Sequence, residues 1–260
     1  MNNFHPRKSL GQHFLHQQSV IDRIIDAFSP GPLETVVEIG AGKGSLTFQI
    51  APHVSILHVI ELDHQLASYL KDKAAAYPSL VVHEANALSF DYCNLISTTE
   101  QRLRVIGNLP YNISTPLIFW LLNHSRCIED LCLMLQKEVA RRIRASPGTK
   151  NYGRLSVMVQ QQCEVHPVML VAPGAFFPPP KVESAVILLK PYRDAPYALK
   201  DPARFSAIVR AAFSHRRKTL RNALRECMDE AQIQAAGIDP GLRPEQLSVA
   251  DYVRLSGVAD

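Results

Sequence analysis

The segment Val105-Ile106-Gly107-Asn108-Leu109-Pro110-Tyr111 sets a side-chain amide, a proline-interrupted backbone and a phenol ring directly behind an apolar run. Leu103, Val105 and Ile106 read as the end of a buried parallel strand, and in open α/β sheets ligands bind beyond the carboxyl ends of such strands. Pro110 lacks an N–H and holds Leu109 extended, so the carbonyls at this rim are expected to be free to accept rather than to continue a helix or ladder. An amide oxygen, a free carbonyl and an aromatic ring suit one task, the gripping of a planar base that carries an exocyclic amine. The competing reading is an ordinary turn after a strand, because Asn-x-Pro is frequent in loops. The surroundings decide between them.

A second constellation lies upstream. The strand pattern Thr35-Val36-Val37-Glu38-Ile39 runs straight into Gly40-Ala41-Gly42-Lys43-Gly44, after which Leu46, Phe48 and Ile50 open a helix. Glycines there let the backbone turn tightly and a ligand approach it, beside the unpaired N–H groups of a helix start. The spacing is G-x-G-x-G and not the G-x-G-x-x-G of dinucleotide binders, which argues against phosphate as the ligand. Ile56 to Glu61 reads as the next strand, with Glu61 about twenty residues past the loop, where such folds place an acid on ribose hydroxyls; the alternative is a solvated strand end. Leu80 to His83 makes a further strand, and Asn86 at its rim either reads an adenine edge or caps the turn. Ala175-Phe176-Phe177-Pro178-Pro179-Pro180-Lys181 is stiffened by three prolines, so its aromatics either stack on a base or plug the core.

The elements that must position these groups follow the hydrophobic pattern. Ser19 reads as the N-cap of a first helix carrying Val20, Ile21, Ile24, Ile25 and Phe28, and Ser114 as the cap of another through Ile118, Trp120 and Leu121. The segment before the first helix, Ser9 to Leu15, is expected to act as a lid. Leu131 to Leu135 reads as a buried strand, with Lys137, Arg141 and Arg144 on one face of the helix behind it. Leu155 to Val159 is expected to begin a long strand that pairs, hairpin-like, with Val182 to Leu189. Pro191 to Pro202 marks a domain junction, giving a first domain over residues 1–192 and a small helical one over 193–260. In the latter, Phe205, Ile208, Val209, Ala212 and Phe213 form one helical face. No acidic residue occurs between Pro202 and Arg225, and Arg217, Arg221 and Arg225 recur at i+4 as a basic stripe suited to a phosphate backbone.

Composition narrows the classes. A chain of 260 residues with 47% hydrophobic and 20% charged residues buries a large core and is not disordered. Residues Met1 to Ser9 hold no apolar leader and no apolar run is long enough to span a bilayer, so a cytoplasmic, non-membrane protein is expected. Five cysteines, odd in number and never in a C-x-x-C pair, read as reduced core residues, and ten histidines without ligand spacing give no reason to expect a metal. A net charge of +4 is too mild to establish a nucleic-acid partner alone.

Taken together, the order of motifs resembles the ribosomal RNA adenine-N6 dimethyltransferases, which modify adjacent adenosines near the 3′ end of small-subunit ribosomal RNA. The resemblance rests on Gly11 to Leu15, Glu38 to Gly44, Glu61, Asn108 to Tyr111, Phe176 to Ser184 and Phe213 to Lys218. It implies an α/β fold, a Rossmann-like seven-stranded methyltransferase domain with a small all-helical C-terminal domain, and S-adenosyl-L-methionine as cofactor. It further implies cofactor contacts at His13, Leu15, Gly40, Gly42, Glu61, Asn86 and Asn108 and a target-base site at Asn108, Leu109, Pro110, Tyr111 and Phe176, while the Phe213 to Lys218 segment together with the basic stripe gives expected RNA contacts at Arg216, Arg217, Lys218 and Arg221. The implied substrate is small-subunit ribosomal RNA, met by a monomer, with an assembling particle expected and bare RNA left open as the alternative. Two positions depart from the family pattern: His13 stands where Asn is usual and Asn86 where Asp is usual. The rival readings are a large-subunit adenine methyltransferase of the antibiotic-resistance type, a non-catalytic RNA-binding assembly or transcription factor, and a nicotinamide oxidoreductase. The last is disfavoured by the glycine spacing.

Overall fold

The computed structural model describes residues 6–7, 10–98, 100–215 and 217–258. Arg216, one of the four basic residues assigned to RNA, lies outside them. The chain divides into two compact units, Met1–Ala140 with His166–Pro191, and Arg141–Val165 with Tyr192–Asp260. The second unit therefore begins near the expected junction but also takes in residues 141–165, which the sequence reading places in the first domain.

In the first unit the strands are β1 (Phe14–Leu15), β2 (Thr35–Ile39), β3 (Ile56–Glu61), β4 (Leu80–Glu84), β5 (Leu103–Asn108) and β6 (Ile128–Gln136). Later come β7 (Cys163–Val171), β8 (Phe176–Phe177) and β9 (Ser184–Pro191). Seven of them form one sheet in the order β4-β3-β2-β5-β6-β9-β7, while β1 and β8 pair separately. The strands β4 to β6 in that order run parallel, and β9 returns antiparallel to β6. From β2 the chain works outward through β3 to β4, then returns to β5 on the other flank, so β2 and β5 bracket the point where the winding reverses. Ligands of open α/β sheets bind there. The register brings Ile39 opposite both Ile60 and Gly107, which aligns the carboxyl ends of β2, β3 and β5. A Cβ on Gly107 would lie 2.6 Å from the Ile39 carbonyl, so only glycine lets the two central strands meet at this level.

The helices packing on these strands begin with α1 (Gln18–Phe28), α2 (Thr47–Ile50), α3 (His64–Ala74), α4 (Ser114–Asn123) and α5 (Lys137–Ile143). Ser19 does not cap α1: Gln17 precedes the helix with no side-chain cap, and the entry is fixed instead by His16 and Gln17 N–H groups donating to Ala175 O. Ser114 is the first residue of α4 rather than its cap, and its hydroxyl donates to Tyr111 O at 3.2 Å.

Two further expectations are corrected. Leu155 to Val159 is helical, within α6 (Arg154–Gln162), and the strand that joins the sheet is the following β7. A short apolar run does not distinguish a buried helix from a buried strand by periodicity alone. Here Gly153 N–H donates to Ser156 Oγ at 3.1 Å and the Ser156 hydroxyl in turn donates to Arg142 O, which starts a helix. Nor are all the cysteines reduced core residues, because Cys93 and Cys127 form a disulfide and Cys227 is exposed. The bonded pair is 34 residues apart in sequence, on two short turns that the edge-to-face contact of Tyr92 and His124 brings together. Cys132 and Cys163 are buried thiols, each pushed up to about 12 chiefly by burial.

The second unit has its own core. Phe205, Ile208, Val209 and Ala212 of α7 (Pro202–Ala212) pack with Leu220, Leu224, Ile233, Tyr252 and Leu255. Asp201 caps α7 by accepting from Ala203 and Arg204 N–H groups. The basic stripe is not helical: α8 covers only Leu220–Ala223, Arg217 lies in the turn before it and Arg225 in the turn after it. Leu220 and Leu224 are fully buried and set the path of this segment, so the i+4 spacing of the arginines follows no continuous helix.

Candidate active site

At the winding reversal the strand ends and the N-terminal segment enclose a cleft of about 1050 Å³, counted to its open mouth. Its walls come from residues 10–15, the glycine loop after β2, the end of β3, the rim of β4 at Ala85 to Ala87, and Asn108 to Ile113. All belong to the first unit.

Asn108 is the last residue of β5 and its amide is oriented by a specific bond. Nδ2 donates to the His13 carbonyl at 2.9 Å, which leaves Oδ1 as the acceptor end. Beyond it Leu109 N–H continues the ladder to Met134 O, and Pro110 O accepts from Ile113 N–H at 3.1 Å to lead into α4. Of the two carbonyls that the proline was expected to free, Pro110 O is thus engaged. Leu109 O has no hydrogen-bond donor among the described residues. Tyr111 is fixed at both ends: its hydroxyl shares a 2.6 Å bond with Ser184 Oγ, and its ring stacks on His13 with centroids 5.5 Å apart. Burial pushes its ionisation up.

His13, the departure from Asn, bonds two segments of the site: its ring nitrogen Nδ1 bonds Pro178 O at 2.7 Å, while its face meets Tyr111 and its carbonyl holds Asn108. The N-terminal segment, expected to act as a lid, is bonded to the first unit at several points. Arg7 and Gln12 both reach Asp63 Oδ2, at 3.3 Å each, and Leu15 O accepts from Ser45 Oγ at 2.6 Å.

On the other side, Glu61 ends β3 with only 6% of its surface exposed. Its two oxygens accept from Gly42 N–H at 3.0 Å and Asp63 N–H at 2.9 Å, so backbone donors fix the carboxylate at the mouth of the glycine loop. Burial raises its pKa while those two bonds lower it. Gly42 has φ +57 and a Cβ there would press on the Phe14 ring at 3.0 Å, so glycine lets the loop meet that ring. Gly40 turns with φ +69 and donates to Ile60 O. Asn86 is exposed at the β4 rim, and its Oδ1 accepts from Leu88 N–H at 3.0 Å. Turn-capping is therefore formed, on one of the two lone pairs of the oxygen expected to meet an adenine amine.

Phe176 does not lie at this cleft. It is 2% exposed and packs in the core through its pairing with Leu15, whereas Phe177 is 58% exposed. Strand alternation sends consecutive side chains to opposite faces, so two aromatics in a row present only one to solvent. Arg217 is exposed, and Arg221 is 57% exposed beside Glu230 at 3.5 Å. Both belong to the second unit, as does Lys218.

One residue of the cleft escaped assignment. Glu38 is 2% exposed, accepts from Thr47 Oγ1 at 2.6 Å and lines the cleft beside Gly40. Burial, with Glu61 adding to it, raises its pKa to about 7 against the opposing Thr47 bond. The signal was an acid inside an otherwise apolar strand of the sheet centre. Among the described residues no group of three histidine, cysteine or acidic side chains is placed to hold a metal ion, and no helix is long and apolar enough to cross a membrane.

Comparison with known proteins places this geometry. A ribosomal RNA small subunit methyltransferase A from Marinobacter nauticus is 50% identical over 259 residues, covering 98% of this chain and 93% of that one. Among solved structures, a dimethyladenosine transferase from Plasmodium falciparum superposes with TM-score 0.77 at 28% identity, covering 94% of this chain and 96% of that one. The 23S rRNA methyltransferase ErmE superposes with TM-score 0.70 at 26% identity, covering 94% and 98%. The family model for ribosomal RNA adenine dimethylase matches residues 3–260, and the chain belongs to that family.

Proposed function

We propose that this enzyme dimethylates N6 of two adjacent adenosines near the 3′ end of small-subunit ribosomal RNA, acting as a cytoplasmic monomer on an assembling particle. The relatives at about half identity carry the small-subunit name, and a site oriented for an exocyclic amine supports the chemistry. The observation that carries the reading is the bond from Asn108 Nδ2 to His13 O, because it fixes the amide oxygen as an acceptor.

S-adenosylmethionine, the cofactor of this methyltransferase family, supplies an electrophilic methyl group when bound. The cleft fits it: Glu61 offers a carboxylate to ribose hydroxyls, the glycine loop at Gly40 and Gly42 admits close backbone approach, and Leu15, His13 and Asn108 form the opposite wall. Glu38 adds a second carboxyl to the cleft, its pKa raised by burial to about 7.

The remaining work belongs to the chain. Adenine N6 is a poor nucleophile because its lone pair is delocalised into the ring. Asn108 Oδ1 and Leu109 O are two acceptors for its two hydrogens, and accepting both draws the nitrogen toward tetrahedral geometry and localises the lone pair. Both dipoles are preorganised by the sheet and the His13 bond, so they stabilise the positive charge that develops on nitrogen without reorganising. No strong base is required, since the amine becomes acidic only as the methyl arrives. The base must be flipped to reach this rim, and Tyr111, held by Ser184 and His13, offers the ring against which it stacks. Phe177, not Phe176, is the exposed aromatic available to neighbouring nucleotides.

Asn108→Ala tests the mechanism. Single-turnover rates at saturating cofactor should fall by about 10² to 10³, with RNA affinity nearly unchanged, because the interaction removed matters mostly in the transition state. Near wild-type single-turnover rates would sink it.

A further inference from the structure

A second cleft, of about 1000 Å³ counted to its open mouth, adjoins the first and shares Phe14, Leu15, Lys43 and Ser45 with it. All its described walls belong to the first unit. The antiparallel pair of β1 and β8 sets Leu15 opposite Phe176 and Phe14 opposite Phe177. Opposed residues share a face, so the pairing that sends Leu15 and Phe176 into the core places Phe14 and Phe177 together on the other side. Phe14 is buried and Phe177 is the ring left open to solvent. Phe48 and Tyr69 line the same cleft.

Its charge has one sign. Lys43 Nζ stands 4.9 Å from the centre of the Phe14 ring and has no carboxylate partner among the described residues. None of the described residues that line the cleft is acidic. Aromatic rings beside a free cation fit a single-stranded nucleic-acid segment, whose bases stack on rings whatever their sequence and whose phosphates seek an ammonium. The cleft is also tied to the rim where the target base is read. Pro178, the residue after Phe177, accepts from His13 Nδ1 through its carbonyl at 2.7 Å, and the His13 ring stacks on Tyr111. We propose that this second cleft receives an unpaired RNA nucleotide flanking the flipped adenosine, with Phe177 as its stacking ring. The inference rests on the reading that the flipped adenosine stacks on Tyr111.

The test uses the full chain and small ribosomal subunits lacking the relevant methyl groups. Phe177→Ala should weaken binding to them about tenfold, the loss expected when one base loses its stacking ring, whereas Phe177→Trp should stay within about threefold of wild type. Calorimetric affinity for S-adenosylhomocysteine should be unchanged in both, which a disturbed fold would not allow. With p-benzoylphenylalanine in place of Phe177, photocrosslinks mapped by primer-extension stops should adjoin the two target adenosines. That arm keeps an aromatic at position 177 and so decides the matter even where Phe177→Ala folds poorly. Wild-type affinity in Phe177→Ala, a Phe177→Trp as weak as Phe177→Ala, or crosslinks away from adenosines that are nonetheless methylated would each overturn the proposal and leave the methylation reading standing. Crosslinks adjoining a methylated adenosine of large-subunit RNA would do the reverse, supporting the cleft while the small-subunit reading falls.

Discussion

Glu38 and Glu61 bring two carboxyls into one largely apolar cleft, and the sheet gives them different environments. Glu61 is held by two backbone N–H groups, whereas Glu38 has one hydroxyl donor and nearly complete burial. Its folded pKa of about 7 exceeds the ordinary 4.5, so the folded protein binds this proton more tightly than the unfolded chain does. The stability it contributes is complete below about 4.5 and is lost as pH rises through about 7. Glu38→Gln keeps the Thr47 bond and removes the titration, so its melting temperature relative to wild type should climb between about pH 5 and pH 8. A difference that stays flat with pH would show that Glu38 is ionised throughout. At this scale Asn108, Tyr111 and Glu61 were legible because an amide, a ring and an acid after apolar runs have few other uses. The choice between Phe176 and Phe177 was not, since it depends on which face of a two-residue strand meets Leu15. Nor was the orientation of Asn86, which a single backbone N–H decides.

Among the elements, the central parallel strands and the glycine loop follow from local pattern alone, and β2 to β6 stand where the apolar runs predict them. The failures share a cause: tertiary partners overrode local pattern. Residues 155–159 alternate like a strand but join a helix started at Gly153, and the arginine stripe reads as helical yet is broken by turns around α8. Arg217 and Arg221 still project as exposed cations from that short segment. Arg217→Ala with Arg221→Ala should weaken RNA binding and flatten its salt dependence by about one unit of slope for each phosphate no longer neutralised, while cofactor binding is spared. Unchanged affinity for small-subunit particles across a salt series would assign them to a solvated face. The pair Arg221 and Glu230 is largely exposed and contributes little to folding, so loss of stability should not confuse the result.

For the whole molecule, two compact units with separate cores agree with the fold expected of an α/β methyltransferase followed by helices, although residues 141–165 group with the C-terminal unit. That excursion has a local signature, a turn-rich run from Ser146 to Gly153 and a basic bias from Arg141, Arg142, Arg144, Lys150 and Arg154 against Glu164, but neither says which core the segment joins. Fold similarity alone does not choose a substrate, since a dimethyladenosine transferase and a 23S rRNA methyltransferase both superpose over 94% of the chain. The choice rests on relatives at about half identity and is open to direct measurement. The protein is incubated with labelled S-adenosylmethionine and with small or large ribosomal subunits lacking the relevant methyl groups, and modified positions are mapped by primer-extension stops. Dimethylation of two adjacent adenosines near the 3′ end of the small-subunit RNA, slowed by about 10² to 10³ with Asn108→Ala, is the predicted result; label confined to large-subunit RNA, or no transfer to either, would contradict the account.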